Sequence, residues 1–174
     1  MDDAVDDAVD DTVDDVRDAA EPEAVGAAGH EVGAAEPEEV EMALVSVELS
    51  PEGLQPATGT VSLVAVEGGG HLDIVMARTD AVLVQEALAG TTPPRPRTHD
   101  LLLSAIGSLS GAVSSVTLVE RRPGGVYVAT VRVLRPNGSI AELDARPSDA
   151  LNIALRARGA ALRAARSLID VPAN

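Results

Sequence analysis

Residues 42–49 (MALVSVEL) alternate apolar and polar side chains, the period of a strand with one buried face. Residues 59–67 (GTVSLVAVE) and 71–76 (HLDIVM) repeat the alternation across a turn at Gly68-Gly69-Gly70, so two further strands are predicted. The spacing then changes. Residues 79–89 (TDAVLVQEALA) carry apolar positions at helical intervals and stop at Gly90. Pro93, Pro94 and Pro96 enforce an extended connector, and a second helix is predicted from about His99 to Leu109.

The pattern then begins again. Residues 113–121, 125–135 and 138–144 read as strands, separated by turns at Pro123-Gly124-Gly125 and Pro136-Asn137-Gly138. A helix from about Ser148 to Arg158 ends at Gly159, and residues 160–170 suit either a short strand with a turn or a frayed helix. Three strands followed by a helix, twice over, predict an α+β fold: internally repeated β-β-β-α units forming a mixed sheet with helices packed on it. A local echo accompanies the repeat. Aligning Asp100 with Asp149 makes Arg97 and Arg146, Leu102 and Leu151, and Ala105 and Ala154 coincide.

The first 41 residues have a different texture. Residues 2–16 repeat a four-residue unit (DDAV-DDAV-DDTV-DDV), and residues 21–41 are rich in Ala, Gly, Glu and Pro. Asp is a poor helix former and like charges four residues apart repel, so a disordered acidic tail and linker are expected over 1–41, with the folded domain at 42–174. The alternative is a transient helix with a valine stripe that orders on a basic partner. The formal net charge of −15 resides in this segment, which holds sixteen acids against Arg17, while residues 42–174 hold twelve acids and twelve Arg. A tail of this charge could inhibit its own domain or dock a basic partner.

The apolar fraction of 45% is enough for a buried core, but the chain has no Phe or Trp and a single Tyr, Tyr127. Val, Leu, Ile and Ala must fill the interior. With no Cys, disulfides and thiolate metal sites are excluded. The apolar runs are too short to cross a bilayer and the chain begins Met1-Asp2-Asp3, unlike a basic leader, so a cytoplasmic protein with no membrane partner is expected. Every basic residue is Arg.

Two segments concentrate reactive side chains: Thr91-Thr-Pro-Pro-Arg-Pro-Arg-Thr-His-Asp100 and Leu143-Asp-Ala-Arg-Pro-Ser-Asp149. Each delivers Arg, a hydroxyl and Asp to a predicted helix start, where free backbone N–H groups favour anions. Arg95, Arg97 and Arg146 are candidates for phosphate contact, with Thr98 and Ser148 as hydroxyl donors. His99 is the natural general acid or base, and Asp100 or Asp149 could orient it. Asp144 is a candidate ligand for a divalent cation, and no organic cofactor is expected. Structural alternatives exist for the same residues. Thr98 and Ser148 are good N-caps, Asp100 and Asp149 suit a helix dipole, Arg146 could bridge to Asp144 or Asp149, and His99 could be a hydrogen-bonded interior residue. Arg121-Arg122 and Arg132/Arg135 suit either a basic strand edge or solvated hairpin ends. Arg156, Arg158, Arg163 and Arg166 allow the same basic-edge reading.

The stretches Pro93–Leu102 and Asp144–Arg156 resemble the two signatures of the bifunctional nuclease family, with similarity in matching order over about residues 42–170. The resemblance implies an α+β fold with a repeated strand–helix unit and hydrolysis of phosphodiester bonds in DNA and RNA. It marks Arg95, Thr98, His99, Asp100, Asp144, Arg146, Ser148 and Asp149 as the positions to examine. The chain departs from the family at Asp73–Ala77, at Asp80-Ala81 and at Ala161-Leu162, and it lacks the usual aromatics. Two functions are therefore expected to compete: a nuclease with little sequence specificity, and a non-catalytic module binding nucleic acid or another anion. Homo-oligomerisation is a further expectation.

Overall fold

The computed structural model describes residues 38–171. The acidic repeat and most of the linker lie outside the described residues.

Two antiparallel meanders form the frame. The first comprises β1 (Glu39–Leu49), β2 (Thr58–Ala65) and β3 (His71–Ala77), and the second β4 (Ala112–Arg122), β5 (Val126–Leu134) and β6 (Ile140–Ala145). The chain passes directly from β3 into α1 (Arg78–Leu88) and from β6 into α3 (Pro147–Arg156), which is the predicted β-β-β-α repeat. Helix α2 (Thr98–Ser108) is an addition between the units. The sequence echo pairs α2 with α3, whereas topology pairs α1 with α3. The echo therefore records similar helix starts and is not the mark of the repeat.

The ambiguous stretch after Gly159 is a strand followed by a turn: β7 (Ala161–Ala165) and a 3-10 turn (Arg166–Leu168). Gly159 adopts a positive φ of 80°, which helps stop the helix and redirect the chain. Strand β7 joins the meanders, antiparallel to β1 and parallel to β4, giving one seven-stranded mixed sheet in the order β3-β2-β1-β7-β4-β5-β6. The fold is α+β.

Alternation along each strand sends Val61, Leu63, Leu72, Ile74, Val116, Leu118, Val131 and Leu162 into a continuous core with Val84 of α1 and with Leu151 and Ile153 of α3. Close packing of α1 needs Gly59 on β2, because a Cβ there would collide with the Cβ of Ala81. No aromatic ring enters the buried core. Tyr127 sits on the β4–β5 hairpin with the Arg121 guanidinium 5.5 Å from its ring centroid.

Strand β1 starts three residues before the expected Met42. Backbone pairing of Glu39 with Ala165 extends it, and the Glu39 carboxylate accepts from Arg132 (2.9 Å) and Arg163 (3.2 Å). A charge run hides the fact that some of its members are paired, Glu39 with two Arg and Glu38 more loosely with Arg166 at 3.9 Å. Including Glu38, Glu39 and Glu41, residues 38–171 hold fifteen acids and twelve Arg, a formal charge of −3.

Candidate functional site

Helices α2 and α3 bring their first turns together. His99 Nε2 lies 3.2 Å from Asp149 Oδ1, joining the two sequence segments across fifty residues. Arg146, just before α3, clasps the same carboxylate with two donors, Nε at 2.8 Å and Nη2 at 3.0 Å. The hydrogen bonds from Arg146 hold the Asp149 carboxyl below its ordinary pKa; partial burial opposes the shift and the His99 contact adds to it. The same contact, with the charges of Asp149 and Asp80, raises the pKa of Arg146 further. Asp80 of α1 is 3.7 Å from the Arg146 guanidinium.

The His99 side chain is only 12% exposed, and its Nδ1 is enclosed without a hydrogen-bond partner. The Asp149 carboxylate can only accept, so Nε2 carries the proton donated to it, and in the neutral ring the unpartnered Nδ1 holds the lone pair. This dyad ends a groove of about 570 Å³ between α2 and strands β5 and β6, with Leu102, Ile106, Val131, Leu143 and Ile153 as apolar walls and Thr98 at the rim.

The other sequence candidates divide clearly. Thr98 and Ser148 are not N-caps. Arg97 and Arg146 occupy those positions in extended conformation, with Thr98 at the first position of α2 and Pro147 at that of α3. Capping of α2 falls to Asp100, whose Oδ2 accepts the Arg97 backbone N–H at 2.9 Å. Asp100 also lies 3.2 Å from Arg156 and borders a separate cavity of about 580 Å³, so it is not part of the His99–Asp149 contact. Arg97 turns to Glu86 of α1. Arg95 is exposed and has no ion-pair partner among the described residues. Ser148 is buried, with its backbone carbonyl accepting from Asn152.

Asp144 borders the groove, but Leu143 and Ala145 pair with Val131 and Ala129 on the helix-covered face, so alternation directs its carboxylate to the opposite face. Among the described residues no group of three or more His, Asp or Glu side chains is arranged to hold a metal ion. The expected cation site at Asp144 thus lacks a fitting donor set there. The candidate basic edge at β4–β6 is partly neutralised: Arg132 is committed to Glu39 and Glu142 and Arg122 pairs with Glu120, while Arg121 lies over Tyr127 and exposed Arg135 reaches Ser139.

Sequence reading missed Asp80, Asn152 and the role of Arg156. Arg156 is an internal strut with an 11% exposed side chain, not part of a surface edge. The available signal was the i, i+4 series Ser148, Asn152, Arg156, which places a polar ladder on one side of α3.

Residues 61–170 match the family model described as bifunctional nuclease domain. That match contains both helix starts and every strand that frames the groove. The chain belongs to the bifunctional nuclease domain family. It is also 31% identical over 105 residues to uncharacterized proteins from two strains of Mycobacterium tuberculosis, covering 59% of this chain and 60% of each relative. The aligned segment thus spans about three-fifths of those relatives. Membership associates the domain with nuclease or nucleic-acid-binding function. Among the described residues, no helix is long and apolar enough to cross a membrane.

Proposed function

We propose that this bifunctional nuclease domain hydrolyses phosphodiester bonds in DNA and RNA with little sequence specificity, using the His99–Asp149–Arg146 chain at the end of the groove. The observation carrying this reading is that the two family segments supply a base, an orienting carboxylate and a cation in one continuous set of contacts.

Neutral His99 would accept a proton from water at Nδ1 as the water oxygen bonds to phosphorus, and would return that proton to the leaving ester oxygen. Asp149 stabilises the transient imidazolium through Nε2–H. Arg146 directs two donors at Asp149, and its remaining N–H groups are available to phosphate oxygens. Thr98 supplies a hydroxyl at the rim, and exposed Arg95 a second cation for the backbone. Because Nδ1 is enclosed, reaction requires the His99 ring to turn or the first turn of α2 to move outward.

Labelled single-stranded and duplex DNA and RNA, incubated with the full chain with and without chelator, test the reading. Cleavage lost in His99→Ala supports it, and no cleavage of any substrate overturns it. Chelator sensitivity separately tests the expected divalent cation.

The enclosed Nδ1 favours a second reading, a module that binds nucleic acid without turnover; tight binding with no product would select it. The acidic tail is proposed to oppose binding of a polyanion at low ionic strength. Removing residues 1–37, while keeping Glu39 and its pairing, is expected to raise affinity most at low salt; an unchanged salt profile refutes this role.

A further inference from the structure

Helix α2 buries none of its residues, although its sequence is strongly apolar. Its first turn is held instead by polar contacts. Asp100 lies 3.2 Å from Arg156 Nε and accepts the Arg97 N–H, Arg97 reaches Glu86, and His99 meets Asp149. Among these, Arg156 is the most deeply placed cation.

Arg156 is fixed on every side. It donates to the Asn152 side-chain oxygen and, at 3.2 Å, to the Asn152 carbonyl one turn earlier on α3. A further donor reaches the Leu83 carbonyl of α1 at 3.3 Å. Asn152 is itself 1% exposed and anchored to the Ser148 carbonyl. One guanidinium therefore connects α1, α2 and α3, and among the described residues its anionic contact is Asp100, the residue next to His99. The planar fork suits this work, since a lysine ammonium could not reach these acceptors in the same geometry.

We propose that Arg156 is a positioning residue: by holding Asp100 it sets the first turn of α2 and keeps His99 Nε2 against Asp149. Its effect on cleavage rests on the nuclease reading, but its effect on His99 does not. Displacing a catalytic group by an ångström lowers turnover by roughly a hundredfold. Loss of Arg156 is therefore expected to lower kcat far more than it alters KM.

The decisive experiment observes the ring. The chain contains three histidines, His30, His71 and His99, so a long-range proton–nitrogen correlation spectrum of the full protein resolves each. Wild type should show His99 as the Nε2–H tautomer with a slowly exchanging proton. Arg156→Gln should lose that signature while the backbone amide spectrum remains that of a folded domain. Asp100→Asn, which keeps an acceptor for the Arg97 N–H but removes the charge, should do the same, and the double variant should be no worse than either single one. A retained His99 signature in folded Arg156→Gln overturns the proposal, as do effects that add in the double variant. Should Arg156→Gln not fold, Asp100→Asn decides alone: a retained signature overturns the proposal. A wild type that cleaves nothing, with variants that still lose the His99 signature, would refute the nuclease reading and leave the positioning role standing.

Discussion

Helix α3 buries Ser148, Ala150, Leu151, Asn152 and Ile153, whereas α2, with three consecutive leucines, buries none of its eleven residues. The two helices carry apolar arcs of similar width and differ in where those arcs face. In α3 the arc lies opposite Asp149 and Arg156 and seats the helix on the sheet by burial. In α2 most of the arc faces away from the core. Leu101 is 64% exposed and Leu109 76%, and only Leu103 and Ile106 reach the core margin. The two partners of the proposed dyad thus come from helices held by different forces: Asp149 from a seated helix, His99 from one retained mainly by polar contacts. A nuclease whose reacting nitrogen must become accessible has reason to put it on the less firmly held partner.

The largest effect should come from breaking the contact between the helices. His99→Ala is expected to reduce cleavage by roughly 10²- to 10⁴-fold with little change in stability, measured by single-turnover kinetics and urea unfolding. Next, Leu151→Ala on the seated helix should cost about 2–5 kcal/mol in urea unfolding followed by far-ultraviolet circular dichroism. A cost below about 1 kcal/mol would show that α3 is not the firmly seated partner.

Acid provides a subtler probe. The carboxyl of Asp149 has a lowered pKa in the folded protein, principally through Arg146. Its stabilising contribution is therefore complete above the ordinary carboxylate pKa of about 3.9 and is lost as pH falls through the lower folded value. Asp149→Asn should be less stable than wild type at neutral pH, and the gap should close at acid pH; a gap independent of pH would contradict the proposed linkage. Smallest of all, Leu101→Ser on α2 should change stability by less than about 0.5 kcal/mol, despite replacing a leucine. A larger loss would show that α2 is held by burial after all.

Much of this contrast was legible in the sequence and part was not. Strand alternation and the glycine stops located both meanders and three helices, because periodicity of 2 or 3.6 survives in any sequence that buries one face. Strand β7 was ambiguous because five residues, three of them Ala, are too few to show a period. The site was half legible. Helix-start chemistry singled out His99, Arg146 and Asp149, yet nothing in one dimension shows that Asp100, one residue from His99, faces Arg156 and a different cavity. Neither do helix starts reveal that the N-caps are arginines, since Pro147 and the side chain of Asp100 take over what Ser148 and Thr98 were expected to do. Glu39 reads as part of the tail for the same reason: its ion pairs are with residues far along the chain.

The lone ring of Tyr127 has a practical consequence for observing this molecule. Without tryptophan or phenylalanine, near-ultraviolet absorption and intrinsic emission report on one hairpin, at the place where Arg121 lies over the ring. The helices that carry the dyad are optically silent. A tryptophan introduced at exposed Leu101 would therefore report on α2 against a nearly dark background, and time-resolved emission from it would distinguish an outward movement of that helix from a turn of the His99 ring alone.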